Sequence, residues 1–443
     1  MKLKRKLFFK IHSWIGIRLS ILFFIVCFSG TLATLSHEMD WLFIPEIRAY
    51  GHSGEEVPRG LIAENFKKHH PQGTITFWLR TEEPYLCDII YKKENGQRSY
   101  VLANPYTGEI QGEVRLTFQR FFRDLHYFLF IPFQIGHFTV LLFGFLLLIA
   151  LLTALVFYKK WWKKLFVLQT GKGALVFFRS LHRLIGVWSV PFTLIFSLTG
   201  IWYFLERTNT AGISTVANPK LPEIPLPASS TPSVTFKTSD IDYDRAVAVA
   251  RQRIPNLKVM DILPPKSADK PIYLTGTSEV PLVRPRSNRV YLDPISYKPI
   301  KVQRATEINT TVWLNDIADP LHFGYWGGIA SKIIWFFFGL GISGLVLSGI
   351  WITAKRKAIK RVQEQKKLMG PWWHINWGLY ALSLFFMYYQ LVVRYQASVS
   401  ALMLISTGWA IFILGTWYLF VYRLKKVIPA SSKKPKSDSE RPL

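Results

Sequence analysis

Two histidines in this chain open the same spaced pattern: a histidine, three residues, a glycine, thirteen residues, a second glycine. The copies are His12, Gly16, Gly30 and His182, Gly186, Gly200, all offset by 170 residues. Each begins an apolar run just after a cluster of Lys and Arg, so both imidazoles fall at one depth near one face of a membrane. An ionisable side chain at that depth is costly without a partner or a role. Two at equal depth suit the axial clamp of one metal or one haem, and bis-imidazole ligation suits a low-spin iron that passes single electrons. Gly16 and Gly186 lie one turn onward on the same helix face, where a missing side chain leaves room for a planar macrocycle. Lys10, Arg179 and Arg183 are placed to meet its propionates. The competing reading is a pair of interfacial histidines snorkelling beside Lys and Arg, with the glycines serving helix packing.

His126 and His322 form a second candidate pair. Each follows an acid and a leucine, in Asp124-Leu125-His126 and Asp319-Pro320-Leu321-His322, and each precedes an even-numbered apolar run at its outer end. They could clamp a second haem, or dock and cap an outer domain. His137, in the first turn of the second run, substitutes if His126 fails; its repeat equivalent falls near Lys332. His374 opens another His-x-x-x-Gly with Gly378 and could replace a member of the first pair or contact a quinone. Its other reading is an aromatic-belt position beside Trp372, Trp373 and Trp377. His37 has no histidine partner in the repeat, where Arg207 stands. His52, His69 and His70 read as surface residues. The expected axial ligands are therefore His12, His182, His126 and His322, holding two b-type haems.

Six apolar runs must position these side chains: Ile11 to Leu35, Ile135 to Tyr158, Leu181 to Leu205, Lys332 to Thr353, Trp377 to Val393 and Val399 to Tyr422. A crossing helix needs about 20 apolar residues, and the fifth run is short and contains Gln390. Lys and Arg crowd the N-terminus, the connection at 161–179, the connection at 355–371 and the tail at 425–443. With six helices all four lie on one side, which places both termini in the cytoplasm. The Lys-rich start followed by an apolar run imitates a signal peptide, but the run continues past Leu35 without a small-residue cleavage site and reads as a retained first helix. The tail from Ala430 reads as disordered.

Two long segments, 40–125 and 206–320, remain on the outer side and read as small α+β units. The first has a helix over Arg59 to His70 and strands at Thr74 to Arg80, Tyr85 to Lys93 and Ser99 to Ala103. The second has a helix over Tyr243 to Arg253 and strands near Leu257 to Leu263, Ile272 to Gly276 and Arg289 to Leu292. Each ends in a strand leading into Asn104-Pro105 or Asp293-Pro294, where the polar side chain caps a turn and proline sets φ. Pro219 to Pro232 reads as an extended linker. The fold expected is an α-helical membrane protein, a bundle of about six transmembrane helices with an internal duplication and two periplasmic α+β domains.

Composition excludes several classes. The net charge of +27 over 443 residues raises nucleic acid as a partner. The basic residues flank apolar runs instead of forming one patch, so topology explains them and nucleic acid is excluded. Cys27 and Cys87 rule out a disulfide framework, and no Cys-x-x-Cys-His supports covalent haem attachment. No phosphate-binding, dinucleotide-binding or His-Glu-x-x-His motif occurs. Electrons must then come from a cytoplasmic reductase or a membrane quinol.

The stretch Leu321-His322-Phe323-Gly324-Tyr325-Trp326-Gly327-Gly328, followed by Lys332, Trp335, Gly339, Gly344, Ser348-Gly349 and Trp351, resembles the PepSY-associated transmembrane proteins, often described as iron-regulated membrane proteins. The two His-x-x-x-Gly motifs and the Asn104-Pro105-Tyr106-Thr107-Gly108 turn fit as well, over roughly residues 5–357. The resemblance implies periplasmic PepSY domains on an inner-membrane bundle, and some members look like ferric-siderophore reductases with two b-type haems. The function expected is an inner-membrane di-haem electron carrier, reducing a ferric siderophore or other ferric chelate in the periplasm. Trp335 and Trp351 are placed to pack near the cofactors, and Arg80, Arg115 and Arg284 could attract anionic chelates. The alternatives are a membrane-anchored PepSY module that binds a periplasmic protein partner and a permease component for iron or siderophore.

Overall fold

The computed structural model describes residues 2–51, 54–224, 241–267, 269–359 and 369–418, with Tyr422. His52, most of the Pro219 to Pro232 linker and the tail from Ala430 lie outside the described residues.

The chain opens with α1 (Lys2–Arg18), α2 (Ser20–Ala33) and α3 (Ser36–Phe43). Then come α4 (Arg59–His69), β1 (Thr74–Leu79), β2 (Asp88–Glu94), β3 (Gln97–Ala103) and β4 (Ile110–Val114). Next are α5 (Phe118–Phe128), α6 (Phe133–Phe157), α7 (Ala174–Trp188), α8 (Val190–Arg207) and the short α9 (Ile213–Ala217). α10 (Tyr243–Arg253) leads into β5 (Lys258–Leu263), β6 (Ile272–Thr277), β7 (Asn288–Leu292) and β8 (Pro299–Gln303). The chain closes with α11 (Thr310–Phe323), α12 (Gly328–Ile359), α13 (Trp372–Tyr389) and α14 (Val399–Trp417).

Among the described residues, α6 and α12 are each long and apolar enough to cross a bilayer. The pairs α1–α2 and α7–α8 qualify when each is taken as one span, bent by 75° and 60° respectively. α14 is apolar but shorter, over Val399–Gly415. The chain is a membrane protein.

The two bends fall at Leu19 and Ser189, the same 170-residue offset as the histidine motifs. The second has a proline cause: Pro191 lies in the first turn of α8, lacks an N–H and crowds the preceding turn. At the first, Ser20 Oγ donates to Ile17 O at 3.0 Å and competes with the main-chain ladder.

The eight strands form one antiparallel sheet in the order β4-β3-β2-β1-β5-β6-β7-β8. The sequence treats 40–125 and 206–320 as two units; the structure joins them at β1 and β5, with Trp78 opposite Ile262 and Leu79 opposite Asp261. Pairing satisfies two strand edges that would otherwise stand open. The core is shared too: Ile62, Trp78 and Ile90 pack in one cluster with Tyr243, Ile262 and Leu274. The strands expected from alternation appear within a few residues of their expected limits, while β4 and β8, with sequences IQGEV and PIKVQ, carry too little apolar alternation to be read. Both turns form as expected. Asn104 Oδ1 accepts from Tyr106 N at 2.9 Å, and Asp293 Oδ1 accepts from Ser296 N at 2.7 Å. Tyr297 takes the positive φ that Gly108 supplies in the first copy.

Candidate functional site

His12 lies on α1 and His182 on α7, and their ring centres are 6.5 Å apart. His126 lies in the last turn of α5 and His322 in that of α11, with ring centres 6.1 Å apart. A metal–imidazole bond of about 2 Å and a ring radius of about 1.2 Å put two trans imidazole centres about 6 Å apart. Each pair is therefore close enough for both rings to reach one metal placed between them.

All four rings are held in the same way. His12 Nδ1–H donates to Ala150 O at 2.9 Å, and His126 Nδ1–H to Val26 O at 2.9 Å. His182 Nδ1 meets Ser348 Oγ at 2.8 Å, and His322 Nδ1 meets Thr199 Oγ1 at 2.7 Å. Each hydroxyl spends its own proton on its helix: Ser348 on Gly344 O at 2.8 Å, Thr199 on Ile195 O at 2.7 Å. Each hydroxyl oxygen must therefore accept from the histidine. Every ring is then the Nδ1–H tautomer, which leaves an Nε2 lone pair on each.

The glycines divide by role. A Cβ on Gly30 would stand 2.7 Å from His126 Cε1, so Gly30 makes room for the imidazole itself. Gly16 has nothing within 4 Å of such a Cβ, and Gly186 only the Leu345 methyls at 3.9 Å. A Cβ at Gly16 or Gly186 would thus meet little or no protein. Gly144 and Gly200 instead bring α6 and α8 together, with a Gly144 Cβ 3.1 Å from Gly200 C.

A cavity of about 890 Å³ runs from the His126–His322 pair to the underside of the sheet seam. Its membrane end is apolar, lined by Phe23, Val26, Phe143, Phe196 and Trp335; its sheet end carries Glu82, Asp261 and Arg123. The walls nearest the histidines thus suit a flat apolar group, and a volume of this size accepts a cofactor. On the opposite, Lys-rich side, Tyr158 OH and Arg183 Nε are buried without hydrogen-bond partners. Arg183 stacks over the Tyr158 ring at 5.7 Å and donates to Val167 O at 2.8 Å. Those orphaned donors fit a carboxylate.

α5 and α11, at the ends of the segments 40–125 and 206–320, are helices that the sequence reading did not assign, and they carry the second pair. Thr117 and Asp40 cap the start of α5: Thr117 Oγ1 accepts from Arg120 N at 3.0 Å and Asp40 Oδ1 from Phe118 N at 2.5 Å. Asn309 caps α11 through Val312 N at 3.0 Å. α11 ends at Gly324, which packs against Trp335, and Trp335 Nε1 donates to Leu321 O at 2.8 Å. Arg284 Nε meets Asp316 at 2.8 Å and its Nη1 meets Asp319 at 2.5 Å, tying α11 to the second half of the sheet. Burial pushes the Asp316 carboxyl up, but Arg286 and Arg284 outweigh it and hold the group below its usual range.

Three sequence expectations change. Arg284 is committed to Asp316 and Asp319, and Arg80 to Asp88 and Glu56, so neither is a free anion-attracting cation. Arg115 donates to Gln97 and Gln396. His137 is buried, stacks on Phe133 at 5.0 Å and donates to Tyr127 O at 3.1 Å in the α5–α6 turn, and it lines the same cavity as His126 and His322. His374 is exposed beside Trp373, at the aromatic-belt position, and joins neither pair. His37 meets Glu83 at 3.3 Å, and Lys332 bridges Glu83 and Glu38.

A sequence model of the PepSY-associated TM region matches residues 9–356. The chain belongs to the PepSY-associated transmembrane family. Over 256 residues it is 26% identical to an uncharacterized protein of Pseudomonas aeruginosa, covering 53% of this chain and 63% of that one. The chain thus spans a little under two thirds of that relative. Both histidine pairs lie inside the family match, and α13 and α14 lie beyond it.

Proposed function

We propose that this protein is an inner-membrane electron carrier with two b-type haems, one held by His12 and His182 and one by His126 and His322. The observation that carries the reading is the pairing itself: equivalent histidines of the repeat face each other with ring centres 6.5 and 6.1 Å apart, and each is held through Nδ1. His137 has the same Nδ1 tether, to Tyr127 O, without a facing histidine, so the pairing and not the tautomer supports the reading.

Six helices and an internal duplication fit this reading. The bends at Leu19 and Ser189, the mirrored strand order and the matched placement of α5 and α11 support it. Lys and Arg in the connections put both termini in the cytoplasm and the sheet in the periplasm. The His12–His182 site then lies near the cytoplasm and the His126–His322 site near the periplasm.

A bis-imidazole haem supplies one-electron transfer at an iron with no open position. The chain sets the path. Ser348, beside the inner pair, and Gly339, on the cavity of the outer pair, are nine residues apart on α12. That is roughly 14 Å of helix. The wall beside the outer pair is apolar, and the cavity leads on to the sheet, where a ferric chelate would accept one electron and become ferrous. The resemblance to ferric-siderophore reductases supports that acceptor. The donor is a quinol or a cytoplasmic reductase.

The test is a reduced-minus-oxidised visible spectrum of detergent-purified protein with a pyridine haemochrome assay. Sharp low-spin b-type bands at about two haems per chain are expected from two bis-histidine sites. Haem-free protein from haem-replete cells would overturn the reading. It would favour the second one, a PepSY module that binds a periplasmic protein partner. The edges β4 and β8 of the sheet are the observation behind that alternative, because an extended peptide can add a strand there.

A further inference from the structure

Three polar side chains along α13 and the turn that follows it bind main-chain carbonyls at the breaks in the first half of the bundle. Asn376 Nδ2 donates to Arg18 O at 2.6 Å, one residue before the bend at Leu19. Ser383 Oγ donates to Leu129 O at 2.7 Å, and Gln390 Nε2 donates to Phe130 O at 2.7 Å. Leu129 and Phe130 form the turn between α5 and α6, with φ of +56° and +57°. Two consecutive non-glycine residues in the left-handed region are costly and persist only where their surroundings hold them.

α13 passes into a π-helical turn, Gln390–Arg394, which delivers Tyr395. Tyr395 OH donates to the buried Asp124 carboxylate and accepts from Arg120 Nε at 2.9 Å. Asp124 and Arg120 both lie on α5, just before His126. α5 is thus gripped at its C-terminal turn by Ser383 and Gln390 and on its flank by Tyr395. The second half needs no such grip. α11 ends at Gly324, which takes a positive φ without strain, and is held by Arg284 and Arg286 from its own side of the sheet.

We propose that α13, which lies beyond the family match, is the positioning element for His126. Ser383, Gln390 and Tyr395 set the height and tilt of α5, and through it the ring angle of the His126–His322 pair. The redox consequence rests on the two-haem reading; the grip on α5 does not.

The test uses the full chain and two readouts. Hydrogen exchange of the α5 amides reports the grip whether or not haem is bound. Low-spin EPR and redox titration report the outer pair. Ser383→Ala with Gln390→Ala, and separately Tyr395→Phe, each remove two hydrogen bonds and should each speed α5 exchange roughly 30-fold. They should shift the EPR signal and midpoint potential of one haem and leave the other haem unchanged. Ser383→Thr, which keeps the hydroxyl, should restore both readouts in the Gln390→Ala background toward those of Gln390→Ala alone. Unchanged α5 exchange in folded protein would overturn the proposal. So would faster exchange with both haem signals unmoved. Haem-free wild type with exchange that still responds would overturn the two-haem reading while leaving α13 as the grip on α5.

Discussion

The imidazole planes of His12 and His182 stand at 89° to each other, whereas those of His126 and His322 are inclined by 36°. In a bis-imidazole complex the mutual angle of the rings controls how far the two iron d orbitals that overlap them are split. Perpendicular rings leave them nearly degenerate; rings closer to parallel separate them.

On the two-haem proposal, two ferric low-spin EPR signals are expected, one strongly anisotropic from the His12–His182 pair and one rhombic from the His126–His322 pair. His182→Ala should remove the first and His322→Ala the second, each lowering haem content from about two to about one per chain. Unaltered haem content in either variant would sink that pair's assignment.

Tethering of Nδ1 gives a second expectation. Ser348→Ala removes the acceptor for His182, and Thr199→Val the acceptor for His322. Loss of an outer hydrogen bond of this kind lowers affinity for the bound group by about 10–100-fold. Haem retention on a competing apo-haem acceptor measures this, and retention equal to wild type would mean the tethers are incidental.

The glycines separate space for a ligand from space for the protein. Gly16→Leu starts its side chain from a Cβ position with no atom of the described residues within 4 Å. The variant should fold with unchanged thermal stability and lose the His12–His182 signal alone. Gly30→Ala should instead displace His126 and abolish the other signal. Full loading of Gly16→Leu would refute the placement of a macrocycle beside that glycine.

Two carboxyls of the sheet should respond to pH in opposite senses. Burial raises Asp261 from its usual 3.8 to about 6, against a hydrogen bond from Thr275. The folded protein holds a proton that the unfolded chain releases, so its contribution is full at low pH and lost as pH rises through about 6, by at most about 3 kcal/mol. Asp261→Asn should raise the melting temperature at pH 8 and flatten its fall between pH 4 and 7. Asp88 is buried too, but Arg59 and Arg80 outweigh burial and hold it below its usual range. Its stabilisation is present at neutral pH and is lost as pH drops below the carboxylate range. Asp88→Asn leaves two buried arginines short of a counter-charge and should cost about 3–5 kcal/mol at pH 7. Equal melting curves across pH for Asp261→Asn and wild type would contradict the first assignment.

The histidine pairing was legible because repetition at a fixed offset places equivalent residues at equivalent depth, whatever the packing. His12 with His182 needed only the 170-residue spacing. His126 with His322 needed the order of elements. β4 and β8 were missed because short polar edge strands carry no alternation. Arg80 and Arg284 were misassigned because a charge count does not reveal that Asp88 and Asp316 are waiting across the sheet.

Apolar periodicity and the repeated motif thus determined up to four candidate spans, the two α+β segments and which histidines face each other, since each depends on local composition and spacing alone. Only the tertiary structure decided that the two segments close into one sheet at Trp78 and Ile262. It alone fixed all four imidazoles in one tautomer and seated α13 against the turn at Leu129 and Phe130. Those outcomes depend on which carbonyl or hydroxyl meets which side chain across distant parts of the chain. Hydrogen-bond partners of that kind exist only after packing has brought the elements within about 3 Å of one another.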